Sequence, residues 1–282
     1  MINSYTSWQP LEEVIVGRAY SPDYFDFIED PQVRNQLQQI LSETEEDLNN
    51  LQKTIETFGA RVRRPNLPPR DQFIWWQTEN GGAPLPPLTP RDWQISLGQK
   101  LLRVLPMEEL DEICNDYADQ VVCAHNGRWD ADCILNQASA SCIVRVGRDV
   151  FFDNSDYLKP EQTKWIVDNC LGPEYRIHEA ITDGHGDAVF AILKPGVILS
   201  SKHDAQLNLA GDFPGWEVLK IWDSSIWAAM EIGKFKYEQS PGAWYVQGQT
   251  PTAELRHSYF WDGGISCCTQ DLTRRGGLET YL

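Results

Sequence analysis

Short β-branched runs closed by glycine alternate with helical patterns along this chain, and that alternation limits the fold more than any other feature. Residues 11–18, LEEVIVGR, place such a run before Gly17 and predict a strand. Residues 31–58 carry Val33, Leu37, Ile40, Leu41, Leu48, Leu51 and Ile55 at helical spacing, with Gly59 as a natural stop. A short strand, ARVRRP, follows and ends at Pro65. Residues 107–120 and 160–170 predict helices, and 142–152 a hairpin about Gly147-Arg148. A short strand is expected at 175–177. Two more, GDAVF and GVILS, flank Lys194-Pro195-Gly196, and others are expected at 217–221 and 243–246. The fold class is therefore α/β. No repeat is visible at the level of residue identity.

The Pro-rich stretch 65–90 reads as a long loop, the kind that is functional or disordered. Its aromatic cluster Phe73, Trp75 and Trp76 favours an ordered loop near a pocket. With 282 residues, 41% of them hydrophobic, the chain has enough apolar surface for a large core. Neither GxGxxG nor GxxxxGK[ST] occurs, which argues against nucleotide-dependent chemistry. A net charge of -17 disfavours nucleic acid and anionic membranes as partners and suits a cationic substrate. The N-terminus lacks the pattern of a secretory signal, and no apolar run is long enough to span a bilayer, so a cytoplasmic location is expected. Seven cysteines in a long chain, with no CxxC pair and scattered histidines, predict neither a disulfide framework nor a zinc site.

Three segments carry residues suited to chemistry. The C-terminal segment GGISCCTQDLTRR holds adjacent thiols, Cys267 and Cys268. A thiol becomes a nucleophile only as thiolate, in a cationic or helix-terminal setting; otherwise it packs as a small hydrophobe. In ITDGHGDAVF, His185 and Asp187 are two residues apart, which at strand spacing puts both on one face. A His near a carboxylate serves as general acid and base. In PRDWQISLG, Asp92 precedes a strand-like run, although an Arg-Asp dipeptide is more often a surface pair. Together these residues suit guanidinium chemistry: carboxylates accept paired N–H bonds, a thiolate attacks the central carbon, and an acid protonates the departing amine.

The same segments carry a family resemblance. SYTSWQPLEEVIVGRA at the N-terminus, RVRRP at 61–65, PRD at 90–92, RVGRDVF at 145–151, GPEYRIH at 172–178, HGDAVF at 185–190, PGVILS at 195–200 and the tail GGISCCTQDLTRRGGLETYL resemble the glycine amidinotransferases of the guanidino-group-modifying superfamily. The resemblance implies a five-bladed α/β propeller with pseudo-fivefold symmetry, the pentein fold, formed by 1–282 as one amidinotransferase domain. It implies Cys267 as nucleophile, His185 as acid and base, and Asp92 and Asp187 as the grip on the guanidinium. Ser224 and Ser225 would contact the substrate. The implied reaction moves the amidino group of L-arginine to glycine through an amidino-cysteine, giving ornithine and guanidinoacetate, without metal or organic cofactor. A homodimer is expected. Rival readings are another amine acceptor, a deiminase-type hydrolase using water, and a non-catalytic arginine-binding protein. The acidic residue that supports the family's catalytic His falls at Ser139 here, with Asp130, Asp132 or Asn136 as alternatives. The Arg that binds the substrate carboxylate falls near Asp204, with Lys202 or His203 as replacements.

Overall fold

The computed structural model describes residues 1–74, 86–125, 132–154, 157–180, 185–200, 213–220, 256–257 and 266–282. These residues form four three-stranded sheets built on one plan. Strands β3 (Gln94–Leu97) and β4 (Lys100–Arg103) make an antiparallel hairpin, and β5 (Val121–Cys123) returns parallel to β4. The pattern recurs with β6 (Ile143–Val146), β7 (Asp149–Asp153) and β8 (Arg176–Ala180). It recurs again with β9 (Phe190–Lys194), β10 (Val197–Ser200) and β11 (Glu217–Lys220). In the fourth sheet the two ends of the chain meet: β12 (Thr269–Arg274) pairs antiparallel with β1 (Leu11–Val16), and β2 (Arg61–Arg63) lies parallel to β1. A parallel return needs a crossover, supplied here by helix α1 (Pro31–Thr57) between β1 and β2 and by α2 (Pro160–Cys170) between β7 and β8.

The hairpins turn at Gly98, Gly147 and Gly196, spaced at equal intervals along the chain, and each has a positive φ. Two of these glycines also meet close neighbours. A Cβ on Gly98 would lie 2.3 Å from the Tyr175 hydroxyl, and one on Gly147 would lie 2.3 Å from the Glu279 carbonyl. Helix α1 starts where Asp30 accepts from the Gln32 and Val33 amides ahead of Pro31. It buries Leu41, Leu48 and Leu51 with Val14, Tyr20 and Cys268. A second core, with Ile95, Leu102, Ile143, Phe152 and Ile166, joins the β3 and β6 sheets to α2.

Two expectations change. The segment 107–120 is not one helix: Asp111–Asn115 makes a single α-turn between 3-10 turns at Glu108–Leu110 and Ala118–Gln120. Asn115 and Asp116 favour turns, and Glu108, Glu109, Asp111 and Glu112 crowd like charges into little more than one turn. GDAVF is not wholly a strand either, because Gly186–Val189 forms a helical turn and β9 begins at Phe190. The strand expected at 243–246, and Trp75 and Trp76 of the Pro-rich loop, lie outside the described residues. Among the described residues no helix is long and apolar enough to cross a membrane.

A buried ion network ties the sheets together. Both carboxylate oxygens of Asp271 on β12 accept from Nη2 of Arg145 on β6, at 2.9 and 3.1 Å, and Oδ2 also accepts from Ser4 at 2.5 Å and from Arg274 at 2.6 Å. The Arg145 Nη1 donates to the Ser4 hydroxyl at 2.7 Å and to the Ser96 carbonyl on β3 at 2.8 Å. Burial opposes the Asp271 charge, but Arg145, Arg274 and Ser4 outweigh it and hold the carboxyl well below the usual range. That contribution to stability is present above the unfolded carboxyl pKa and is lost as pH falls through the lower folded value. Asp271→Ala leaves Arg145 buried with its charge uncompensated. It should cost about 3–5 kcal/mol, measured by urea unfolding at neutral pH.

Candidate active site

Each described first strand of a hairpin, and β12, is preceded by a tight turn. Pro90–Trp93 leads into β3, Ala140–Cys142 into β6, Gly186–Val189 into β9, and Ser266–Cys268 into β12. Asp92, Ser141 and Cys267 therefore hold the same position, two residues before a strand, and Asp187 holds the position one residue earlier. The turns pack together: Pro90–Trp93 meets both Ala140–Cys142 and β12, and Ala140–Cys142 meets Gly186–Val189.

Arg91, on the Pro90–Trp93 turn, touches the other three. Its terminal nitrogens donate to the Ala140 and Ile143 carbonyls at 2.5 and 2.6 Å. Its amide donates to the Cys267 carbonyl at 3.2 Å, and its Nε lies 3.6 Å from Asp187 Oδ2. The Arg-Asp dipeptide is thus no surface pair. Arg91 is 6% exposed, a burial its hydrogen bonds make tolerable.

Two carboxylates face this cluster with capacity to spare. The Ser141 and Thr89 hydroxyls favour the charged form of Asp92. Asp187 Oδ2 accepts from the Ser266 hydroxyl at 3.2 Å. Yet Asp92 Oδ1 and Asp187 Oδ1 are both buried without a hydrogen-bond partner. Burial, and then the Asp187 charge, push the Asp92 carboxyl above its ordinary value; His185, Ser141 and Thr89 pull the other way without reversing the shift. Two buried anions with unsatisfied oxygens make a strong site for a cation that donates N–H bonds. A cavity of about 330 Å³ reaches the cluster, with Arg91, Asp187, Ser266 and Thr269 in its wall.

The two thiols differ in setting. Cys268 is 2% exposed in the core beside α1, and burial pushes its thiol pKa far up, with Cys267 and Asp92 adding to the shift. Cys267 is half-buried, between Ser266 on Asp187 and Cys268 in the core. None of the seven cysteines is disulfide-bonded. His185 is the extended residue that opens the Gly186–Val189 turn, and its ring packs edge-on against Tyr157 with centroids 4.8 Å apart. His185 and Asp187 therefore do not share the face of a strand. A helical turn separates them, because the chain must change direction before β9.

Ser139 opens the turn before β6. Its hydroxyl lies 2.5 Å from that of Ser141, and its amide donates to the Tyr157 carbonyl at 2.9 Å. Asp132 is exposed, and the Asn136 carbonyl accepts from Gln162 at the start of α2. Asp130, Lys202, His203, Asp204, Ser224 and Ser225 lie outside the described residues. Sequence reasoning missed Thr89, Ser141, Ser266 and Tyr157 as members of the cluster. The available signal was positional: Thr89 and Ser141 fall within five residues before a predicted strand, as Asp92 does, whereas the strand that follows Ser266 and Cys267 was not among those expected. Among the described residues no group of three or more His, Cys, Asp or Glu is placed to hold a metal.

No family profile matches the chain. Individual proteins do. An inosamine-phosphate amidinotransferase of Streptomyces glaucescens is 23% identical, with 100% of this chain and 99% of that protein covered. The mitochondrial glycine amidinotransferase of Gallus gallus is 24% identical, over 99% of this chain and 84% of that protein. The solved structure of an inosamine-phosphate amidinotransferase from Streptomyces griseus superposes with a TM-score of 0.69 at 20% identity, covering 100% of this chain and 99% of that one. The repeated sheet plan and these likenesses agree: the chain has the fold of that solved amidinotransferase and is similar along its whole length to amidinotransferases.

Proposed function

We propose that this protein is an amidinotransferase that takes the amidino group of L-arginine and passes it to an amine, with glycine as the acceptor. The observation that carries this reading is the pair of buried, unpartnered oxygens on Asp92 and Asp187, held by turns that pack beside the Cys267 turn. A guanidinium supplies what both oxygens lack, N–H donors and positive charge. Its charge next to Cys267 also favours the thiolate.

In this mechanism the Cys267 thiolate attacks the guanidino carbon. The bond to the ornithine nitrogen breaks as His185 gives that nitrogen a proton, and an amidino-cysteine remains. The acceptor amine then loses a proton to His185 and attacks the same carbon, and the Cys267 sulfur leaves as thiolate. Protons and bonds balance over the cycle, with no redox change. Ser224 and Ser225 are proposed to contact the substrate on the family pattern alone. We further infer that the four described sheets belong to a five-bladed propeller formed by 1–282 as one domain. The shared sheet plan and the pairing of β1 with β12 support this.

The relatives' names divide between glycine and an inosamine phosphate as the compound acted on. The decisive experiment therefore feeds arginine with glycine, other amino acids, an amino-cyclitol phosphate, or water alone, and identifies products by mass spectrometry. Ornithine with guanidinoacetate is expected. Ornithine with a different guanidino product would replace glycine as acceptor, and citrulline with ammonia would make the protein a hydrolase.

A further inference from the structure

Asp187 is held at one oxygen and open at the other. Its Oδ2 accepts from the Ser266 hydroxyl at 3.2 Å and lies 3.6 Å from the Nε of Arg91, while its Oδ1 is buried without a partner. An arginine beside a carboxylate frequently pairs with both oxygens at once, through two parallel N–H bonds. Arg91 does not, because its terminal nitrogens are engaged elsewhere: Nη1 donates to the Ala140 carbonyl and Nη2 to the Ile143 carbonyl. At 3.6 Å the Nε contact is an ion pair, too long for a hydrogen bond. Arg91 thus gives Asp187 a compensating charge without capping both of its oxygens. Ser266 supplies the hydrogen bond, and Ser266 is the residue next to Cys267. The Arg91 amide donates to the Cys267 carbonyl at 3.2 Å, so both partners of Asp187 Oδ2 are joined to the Cys267 turn.

We propose that Arg91 and Ser266 are positioning residues that together hold Asp187 Oδ2, leaving Oδ1 as the oxygen presented to the ligand and fixing it relative to the turn that carries Cys267. That the ligand is a guanidinium rests on the function proposed above; the hold on Asp187 does not. The planar fork of Arg91 matters here beyond its charge, because it spans two carbonyls and still places Nε beside Asp187. A lysine ammonium is a compact charge on a flexible stem. It cannot span the same three partners, and it is free to move onto Asp187 and compete with the ligand. Ser266 matters as a hydroxyl donor, so threonine can replace it and alanine cannot.

The test is arginine kinetics on Arg91→Lys, Ser266→Ala and Ser266→Thr, with urea unfolding of Ser266→Ala, Asp187→Ala and the double variant. Arg91→Lys and Ser266→Ala should each raise the KM for arginine about tenfold, the scale of one bond to a charged group. In both, KM should rise more than kcat falls, and Ser266→Thr should restore the native KM. An arginine that only balanced charge would be replaced by lysine without effect on KM. In the unfolding series the double variant should lose less than the sum of the two single losses, because the second change removes a bond already broken. Ser266 is exposed, so its variants carry the test if Arg91→Lys does not fold. A native KM in either Arg91→Lys or Ser266→Ala, or additive losses in the unfolding series, overturns the proposal. Sub-additive losses in a protein inert toward arginine keep the hold on Asp187 and reject the function proposed above.

Discussion

Cys267→Ala should abolish turnover of arginine, by about 10⁴-fold or more, the scale on which an enzyme acting as a unit suffers when its nucleophile is removed. Arginine should still bind, because the oxygens proposed to hold it belong to Asp92 and Asp187. Calorimetry with arginine, beside a product assay, separates the two effects. Mass spectrometry of native protein quenched during turnover should show an amidino adduct on the peptide containing Cys267, and the variant should show none. The neighbouring thiol supplies the control. Cys268 is packed among Val14, Tyr20 and Leu41, with its ionisation suppressed by burial. Cys268→Ala should lose about 1 kcal/mol of stability from lost apolar contact while retaining turnover. Full activity in Cys267→Ala, or an adduct on Cys268, would assign the chemistry to the wrong thiol.

Asp92→Asn should move activity and stability in opposite directions. The amide keeps nearly the same shape but offers the ligand no charge. Losing charge-assisted bonds worth about 1.5–3 kcal/mol each should reduce kcat/KM for arginine by roughly 10²–10⁴. Stability at neutral pH should rise. Burial and the Asp187 charge raise the folded carboxyl pKa of Asp92 above its ordinary value. The folded state therefore binds the extra proton more tightly than the unfolded state does, and stability falls as pH climbs through that raised value. Above that raised value the native protein carries the cost of a buried second anion, which the neutral amide removes. A thermal midpoint for Asp92→Asn above that of native protein at pH 7, with the gap closing in acid, is the expected result. An equal or lower midpoint at every pH would mean that Asp92 does not carry that cost. The same linkage predicts that saturating arginine raises the midpoint of the native protein more than that of the variant.

Much of the architecture is legible in residue order. The strands at 11–16, 143–146 and 149–153 and the helices at 31–57 and 160–170 follow from β-branched runs, helical spacing and flanking Pro or Gly, because their local preferences agree with the fold. The turns were harder. His185-Gly186-Asp187 fits a strand and a helical turn equally well over so few residues, and the choice is made by the need to redirect the chain before β9. The sheet repeat was hidden for a related reason. It lies in the order of pairing and in the spacing of Gly98, Gly147 and Gly196, with almost no repeated residue types.

By itself the sequence determined the chemical inventory: a thiol pair near one end, a His close to an Asp, an Asp before a strand, and acidic excess without nucleotide-binding or metal-binding spacing. It also determined where most strands begin. The tertiary structure alone decided that four turns distant in the chain converge on Arg91, that Cys268 rather than Cys267 is sealed in the core, and that Asp92 and Asp187 each keep a buried oxygen unpaired. Convergence and burial are set by which strands pair and which faces pack. Those are contacts between residues far apart in sequence, and no local pattern encodes them.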